Sequence, residues 1–248
     1  MLTEMVKSAE SIAIGGHVRP DGDCVGSCLG VYLYLKKHFP DKQIHVYLES
    51  IPEIFQFLKG SEDILHEIPE DKIYDLFILL DCGDAQRLGF SAPLYENAKT
   101  SFCIDHHVSN QAFATKNYIE PEASSTCELV YHLLGSDQIS EEIAECLYVG
   151  IVHDTGVFRH SCTHPSTMCV AADLMEKGID FTKIITETFD EKTFAQNQIM
   201  GYVLVNAIQF LEGRGVASYV DLEKRAEYRV QAKQLDGIVN QLKLTKGA

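Results

Sequence analysis

Three short stretches of this sequence carry side chains with chemistry to offer: His17-x-x-x-Asp21-x-Asp23, then Asp81-x-x-Asp84, then Asp105-His106-His107. Carboxylate oxygens and imidazole nitrogens together form a donor set suited to Mn²⁺, with Mg²⁺, Co²⁺, Fe²⁺ and Zn²⁺ as alternatives. Soft thiolate sites are not in prospect. The eight cysteines stand at 24, 28, 82, 103, 127, 146, 162 and 169, without a Cys-x-x-Cys pair or zinc-ribbon spacing. Taken singly, each acidic group has a plainer reading. Asp21-Gly22 and Asp84 suit tight turns and local amide capping, and a lone His17 is more often a satisfied histidine than a ligand. Turn chemistry does not explain why all three groups follow an apolar run.

Those runs are the elements that must position the clusters. Ser11–Gly15, Gln43–Leu48, Leu76–Leu80 and Ser101–Ile104 are apolar runs rich in Ile, Val, Leu or Phe and too short for helices, which predicts strands. Val25–His38 between the first two has apolar residues at helical spacing. Strand, helix and strand in alternation predict an α/β fold with a mainly parallel sheet flanked by helices. In such a sheet, the loops leaving the carboxyl ends of neighbouring strands converge on one crevice. Three acidic clusters meeting there would repel one another unless a cation neutralised them, so their gathering points to bound metal.

Beyond residue 120 the pattern is helical. Ser125-x-x-Glu128 reads as a capping box for Thr126–Leu134, with Gly135 after its end. Ser140 is positioned to cap Glu141–Val152, and Pro165 opens a helix through Glu176 that Gly178 ends. Glu191–Leu211 reads as one long helix, broken by Gly213-Arg214-Gly215, before a strand at Val216–Val220 and a short apolar pattern at Leu235–Leu242.

Composition narrows the functions open to the chain. It has 248 residues, 46% hydrophobic and 23% charged, with a formal charge of −15. That balance is typical of a soluble globular protein, and no apolar run reaches the ~18 residues of a membrane span. The negative charge disfavours long duplex nucleic acid, whose binding draws on counterion release by basic residues. With no secretory leader pattern, the thiols read as reduced and the location as cytoplasmic.

At this point the motifs resemble those of a known family, the DHH phosphoesterase superfamily. Gly16-His17-Val18-Arg19-Pro20-Asp21-Gly22-Asp23 is similar to its first motif, Asp81-Cys82-Gly83-Asp84 to its second, Asp105-His106-His107 to the one that names it, and Gly150-Ile151-Val152-His153-Asp154-Thr155-Gly156 to its fourth. Ser124-Ser125-Thr126, Asp154-Thr155-Gly156-x-Phe158-Arg159 and Asp236-Gly237-Ile238-Val239-Asn240 look like its nanoRNase branch, whose members act as oligoribonucleases and pAp phosphatases. The resemblance implies two divalent metals, one on His17 and Asp21, the other on Asp23, His106 and Asp154, with Asp81 bridging them. It implies a bridging hydroxide as nucleophile, His107 beside the scissile phosphate, Asp105 orienting an imidazole, and substrate contacts from Ser125 and Arg159.

The implied organisation is a catalytic domain over residues 1–190, a linker helix over 191–212, and at 213–248 the beginning of a truncated substrate-binding α/β domain. The implied activity is metal-dependent hydrolysis of short RNA or small adenine nucleotides such as pApA, pAp and cyclic di-AMP. Two alternatives stay open. One is an inorganic pyrophosphatase of the same superfamily, although Leu222–Ala248 lacks the expected basic motif. The other is a metal-binding module without turnover.

Overall fold

The computed structural model describes residues 2–235 and 237–247, so Asp236 of the late Asp236–Asn240 pattern lies outside the described residues. The chain divides into two compact units, one through Phe189 and one from Asp190. In the first, α1 (Leu2–Lys7), β1 (Ser11–Gly15), α2 (Gly22–His38), β2 (Gln43–Tyr47) and β3 (Ile64–Leu65) are followed by β4 (Leu76–Leu80), α3 (Ala92–Glu96), β5 (Thr100–Asp105) and β6 (Lys116–Ile119). The helices α4 (Thr126–Leu134), α5 (Glu141–Asp154), α6 (Pro165–Glu176) and α7 (Phe181–Ile185) complete it.

All six strands are parallel, in the order β3-β2-β1-β4-β5-β6. Connections from β1 run outward to β2 and β3, and those from β4 run the other way to β5 and β6. The order therefore reverses between β1 and β4, and in an open parallel sheet the crevice at the carboxyl ends of such a pair is where ligands bind. Residue alternation supplies both faces. Ile12, Ile14, Leu76, Ile78, Leu80, Phe102 and Ile104 join one buried cluster with α2, α4 and α5. Ala13, Phe77, Leu79 and Cys103 face a second, smaller cluster with Leu88 and Leu94. A strand buried on both faces reads as a continuous apolar run, as β4 does. The helices α2 and α5 lie so close that a Cβ on Gly26 would stand 2.2 Å from the carbonyl oxygen of Cys146.

The amino ends of β1, β4 and β5 are tied by one carboxylate. Asp75 accepts hydrogen bonds from the amides of Glu10 and Ser11 at 3.0 and 2.9 Å, from the Ser11 hydroxyl at 3.0 Å and from Lys99 Nζ at 2.7 Å. The Lys99 and Ser11 hydrogen bonds hold its carboxyl below the ordinary aspartate range. A depressed folded pKa adds stability above the unfolded value that disappears as pH falls through the folded one. Asp75→Ala is expected to cost about 1–3 kcal/mol at neutral pH, and less below pH ~4, where the unfolded carboxyl is protonated. Urea unfolding at pH 7 and pH 3 measures both.

The second unit departs from expectation. The helix read as Glu191–Leu211, and with it the linker over 191–212, is shorter: α8 spans Phe194–Val205. Thr193 and Gln196 form a capping box at its start. Asn206 ends it, and Ile208–Phe210 (β7) instead pairs antiparallel with Gly215–Ala217 (β8). Leu211, Glu212 and Gly213 all have positive φ, which turns the chain back into this hairpin. The strand placed at Val216–Val220 accordingly shifts to β8. The helices α9 (Leu222–Glu227) and α10 (Ile238–Lys243) follow. No helix among the described residues is long and apolar enough to cross a membrane.

Candidate metal centre

Asp81 directly follows β4, and its backbone is left-handed at φ 53°. For a non-glycine residue that conformation costs about 1–3 kcal/mol and persists where the surroundings impose it. Here it sets a buried carboxylate between two groups of donors. Asp81 Oδ2 lies 3.3 Å from His17 Nε2, while Asp81 Oδ1 lies 3.7 Å from His106 Nε2. The two oxygens of one side chain thus face opposite sides of the crevice.

On the first side, His17 follows β1, and its Nδ1 meets the Val18 carbonyl at 2.8 Å, which turns Nε2 inward. Asp21 Oδ1 is 3.6 Å from that nitrogen and also accepts the amides of Asp23 and Cys24, capping α2. The capping reading of Asp21 and its place beside His17 therefore hold together. On the other side, His106 follows β5, with Nδ1 3.3 Å from the Ala123 carbonyl. Its Nε2 stands 3.1 Å from Asp154 Oδ2, at the end of α5, and 3.8 Å from Asp23 Oδ2. Asp23 is wholly buried and accepts the first-turn amides of α4 from Thr126 at 2.7 Å and Cys127 at 2.9 Å. A helix N-terminus is a favourable place for a carboxylate. Gly150 makes room for it, since a Cβ there would lie 2.8 Å from Asp23 Oδ1.

The electrostatics are those of a centre with too much negative charge. Burial together with the Asp81 and Asp154 carboxylates pushes Asp23 well above the ordinary aspartate value. Burial raises Asp154 too, against the pull of His106. Burial opposes charge on the histidines, yet hydrogen bonds to Asp21 and Asp81 carry His17 up to about 11, and Asp154 leads the groups that carry His106 to about 10. Protonated imidazoles are the counter-charge the chain itself can offer. A divalent cation suits the same place better: His17, Asp21 and Asp81 present donor atoms within 4.8 Å of one another, as do Asp23, His106 and Asp154. In both histidines Nδ1 is engaged by a carbonyl and Nε2 faces the acids, the arrangement metal-binding histidines commonly adopt.

His107 belongs to a different arrangement. Its Nδ1 bonds Asp105 Oδ1 at 2.7 Å, and Asn110 Nδ2 donates to Asp105 Oδ2 at 2.6 Å. Asp105 therefore orients the second histidine of the pair and not His106. That bond raises the His107 pKa. The ring's Nε2 is left on the crevice side, 3.4 Å from Arg87 Nη1.

Other residues singled out in the sequence sit elsewhere. Ser125 is fully buried and its hydroxyl accepts the Glu128 amide, capping α4. The reciprocal half of the expected capping box is replaced: Glu128 turns to the amide and hydroxyl of Ser124 and to the Thr167 hydroxyl. Ser140 takes the N-cap position of α5 without a side-chain bond to its amides. Arg159 donates from Nε to the Gly156 carbonyl and lies over the Phe189 ring. Asp84 caps the next turn through the amides of Gln86 and Arg87. Sequence reasoning gave no role to Thr126, whose hydroxyl donates to Asp81 Oδ1 at 3.2 Å, or to Asn110. A hydroxyl at the first residue of a capped helix was the available signal for Thr126; Asn110 left none.

Comparison with known proteins assigns this architecture. Residues 11–151 match the model of the DHH family, N-terminal domain. The chain belongs to the DHH family. Among curated relatives of this DHH chain, a probable bifunctional oligoribonuclease and PAP phosphatase NrnA from Streptococcus mutans is 27% identical across 81% of the chain. The chain spans 63% of that relative's length. The bifunctional oligoribonuclease and PAP phosphatase NrnA of Bacillus subtilis is 25% identical across 98% of the chain and 78% of its own length. The crystal structure of an exopolyphosphatase-related protein from Bacteroides fragilis superposes with a TM-score of 0.89 at 27% identity, covering 99% of this DHH chain and 76% of that one.

Proposed function

We propose that the protein is a divalent-metal-dependent phosphoesterase acting on short oligoribonucleotides or small adenine nucleotides such as pApA and pAp. The observation that carries this reading is the Asp81 carboxylate, whose two oxygens face His17 on one side and His106 on the other. In this reading His17 and Asp21 hold one Mn²⁺, Asp23, His106 and Asp154 hold the second, and Asp81 is shared. A pair of divalent cations bound there supplies positive charge for the phosphate oxygens and a water of lowered pKa.

The chain's own groups do the rest. Asp105, fixed by Asn110, holds His107 through Nδ1, so that Nε2 faces the crevice where a leaving oxygen could be protonated. Thr126 donates to Asp81 and fixes the rotation of its carboxylate. The net charge of −15 fits a small anionic substrate drawn in by metal charge at one point, and not a long strand held along a basic channel.

Hydrolysis of pApA, pAp and pyrophosphate by this chain with added Mn²⁺ tests the proposal. Release of AMP supports it; activity on pyrophosphate alone, or none at all while Mn²⁺ binds, overturns it. A second expectation follows from the histidines. Because His17 and His106 are raised above the ordinary histidine value, both carry protons at neutral pH in the metal-free chain. Ligands must lose those protons to bind a cation, so Mn²⁺ uptake should release protons and weaken as pH falls. Calorimetry in two buffers of different ionisation heat measures the release; no difference between buffers would contradict it.

A further inference from the structure

Among the described residues, one cation beside His107 has a position fixed from three directions and a charge that no acid takes up. Arg87 lies in the turn after β4, within a short 3₁₀ segment over Ala85–Ser91. Asp84 caps its amide at 3.1 Å, and its carbonyl accepts the Val18 amide at 2.7 Å. Its backbone is thereby clamped to the loop that carries His17. The neighbouring turn is pressed onto the same loop: Gly89 has a positive φ, and a Cβ there would stand 2.4 Å from Val18 Cγ1. From that mount the guanidinium reaches across to His107 Nε2.

This is an unusual partner for an arginine. A guanidinium presents a fork of donors matched to carboxylate and phosphate oxygens, and it stays charged at any working pH. Carboxylates crowd the centre, yet among the described residues Arg87 forms no ion pair with any of them. Among the described residues, its side-chain hydrogen-bond partner is a ring nitrogen 3.4 Å away, a long contact that leaves most of its donors unused by those residues. Arg87 is half-buried and reaches the edge of the centre at His107. Arg159, which follows the fourth motif, is committed to the Gly156 carbonyl and the Phe189 ring.

We propose that Arg87 is a substrate-binding residue: its guanidinium leaves His107 Nε2 and takes the non-bridging oxygens of the substrate phosphate held over the metal centre. The contact with His107 keeps the fork aimed at the crevice beforehand. Once a phosphate oxygen takes the guanidinium, His107 Nε2 is free to take up a proton from water and pass it to the leaving oxygen. The ligand class is a terminal or bridging phosphate of a small nucleotide, and the inference rests on the phosphoesterase reading of the same centre.

The test compares wild type with Arg87→Lys and Arg87→Ala, each loaded with Mn²⁺. Three readouts are needed: Mn²⁺ titration without nucleotide, AMP titration of the loaded protein, and the KM and kcat for pApA. The expected result is wild-type Mn²⁺ binding in both variants, with AMP affinity and kcat/KM for pApA falling on the order of 10–100-fold in Arg87→Ala. Arg87→Lys should recover part of the loss, since it keeps the charge without the fork, and it guards against a folding defect in the alanine variant. Equal AMP affinity in wild type and Arg87→Ala overturns the inference and leaves the phosphoesterase reading standing. Wild type that binds AMP through Arg87 but hydrolyses nothing sinks the activity and keeps the inference. Wild type that binds no AMP at all overturns the inference as well.

Discussion

Asp81→Asn is expected to remove Mn²⁺ binding at both halves of the centre, and turnover with it. The variant changes one oxygen into an amide nitrogen, and asparagine is among the few residues that tolerate the left-handed backbone of position 81, where φ is 53°. The fold should therefore survive, as far-ultraviolet circular dichroism can verify. What disappears is the charge that both groups of donors share, since Asp81 Oδ2 faces His17 and Asp81 Oδ1 faces His106. In the wild type, a metal present at a hundredfold excess over its Kd stabilises by about 2.7 kcal/mol per site, which for a chain of this size raises Tm by several degrees. Asp81→Asn should show almost none of that rise. Asp21→Asn, by contrast, touches the His17 side only and should keep one of two Mn²⁺. A titration in which Asp81→Asn still takes up two Mn²⁺ with wild-type affinity would end the shared-ligand assignment.

That Asp81 could be singled out at all comes from the regularity of parallel sheets. Each of Leu76–Leu80, Ser11–Gly15 and Ser101–Ile104 announces a buried strand by its apolar run, and the acids and histidines stand just past each carboxyl end. The sheet order β3-β2-β1-β4-β5-β6 then brings those ends together at the reversal between β1 and β4. The edges were not legible. Ile64–Leu65 is two residues long, and Lys116–Ile119 is partly exposed and mixed in polarity, so neither carries a periodic signal.

Over-extension of the helix at Glu191–Leu211 has a related cause. Ile208 and Phe210 continue an apolar pattern that suits a helix or a strand, and the hairpin partner at Gly215–Ala217 that decides the matter lies beyond the Gly213 turn. The residues that tune the centre were hidden for another reason. Asn110 and Arg87 reach their partners over 5 and 20 positions of sequence, and nothing local marks an amide or a guanidinium for such a contact.

The second large effect concerns His107. His107→Ala should leave Mn²⁺ affinity and stoichiometry as they are while lowering kcat by about 10²–10⁴-fold, the usual worth of a positioned acid or base. The geometry gives the reason: His17 and His106 turn Nε2 toward the acids, whereas His107 gives Nδ1 to Asp105 at 2.7 Å and holds Nε2 on the crevice side beside Arg87. One competing arrangement is on hand, because Asp81, His106 and His107 also present donor atoms within 4.8 Å of one another. If His107 were a ligand, His107→Ala would weaken Mn²⁺ binding along with kcat, and the titration separates the two cases. Asp105 acts through the imidazole, so Asp105→Asn alone should lower kcat by a smaller factor. Residues that work as a unit give non-additive losses. The double variant of His107→Ala with Asp105→Asn should consequently be no slower than His107→Ala. Additive losses would mean that Asp105 serves the reaction by a route of its own, and that the 2.7 Å bond to His107 is packing and not positioning.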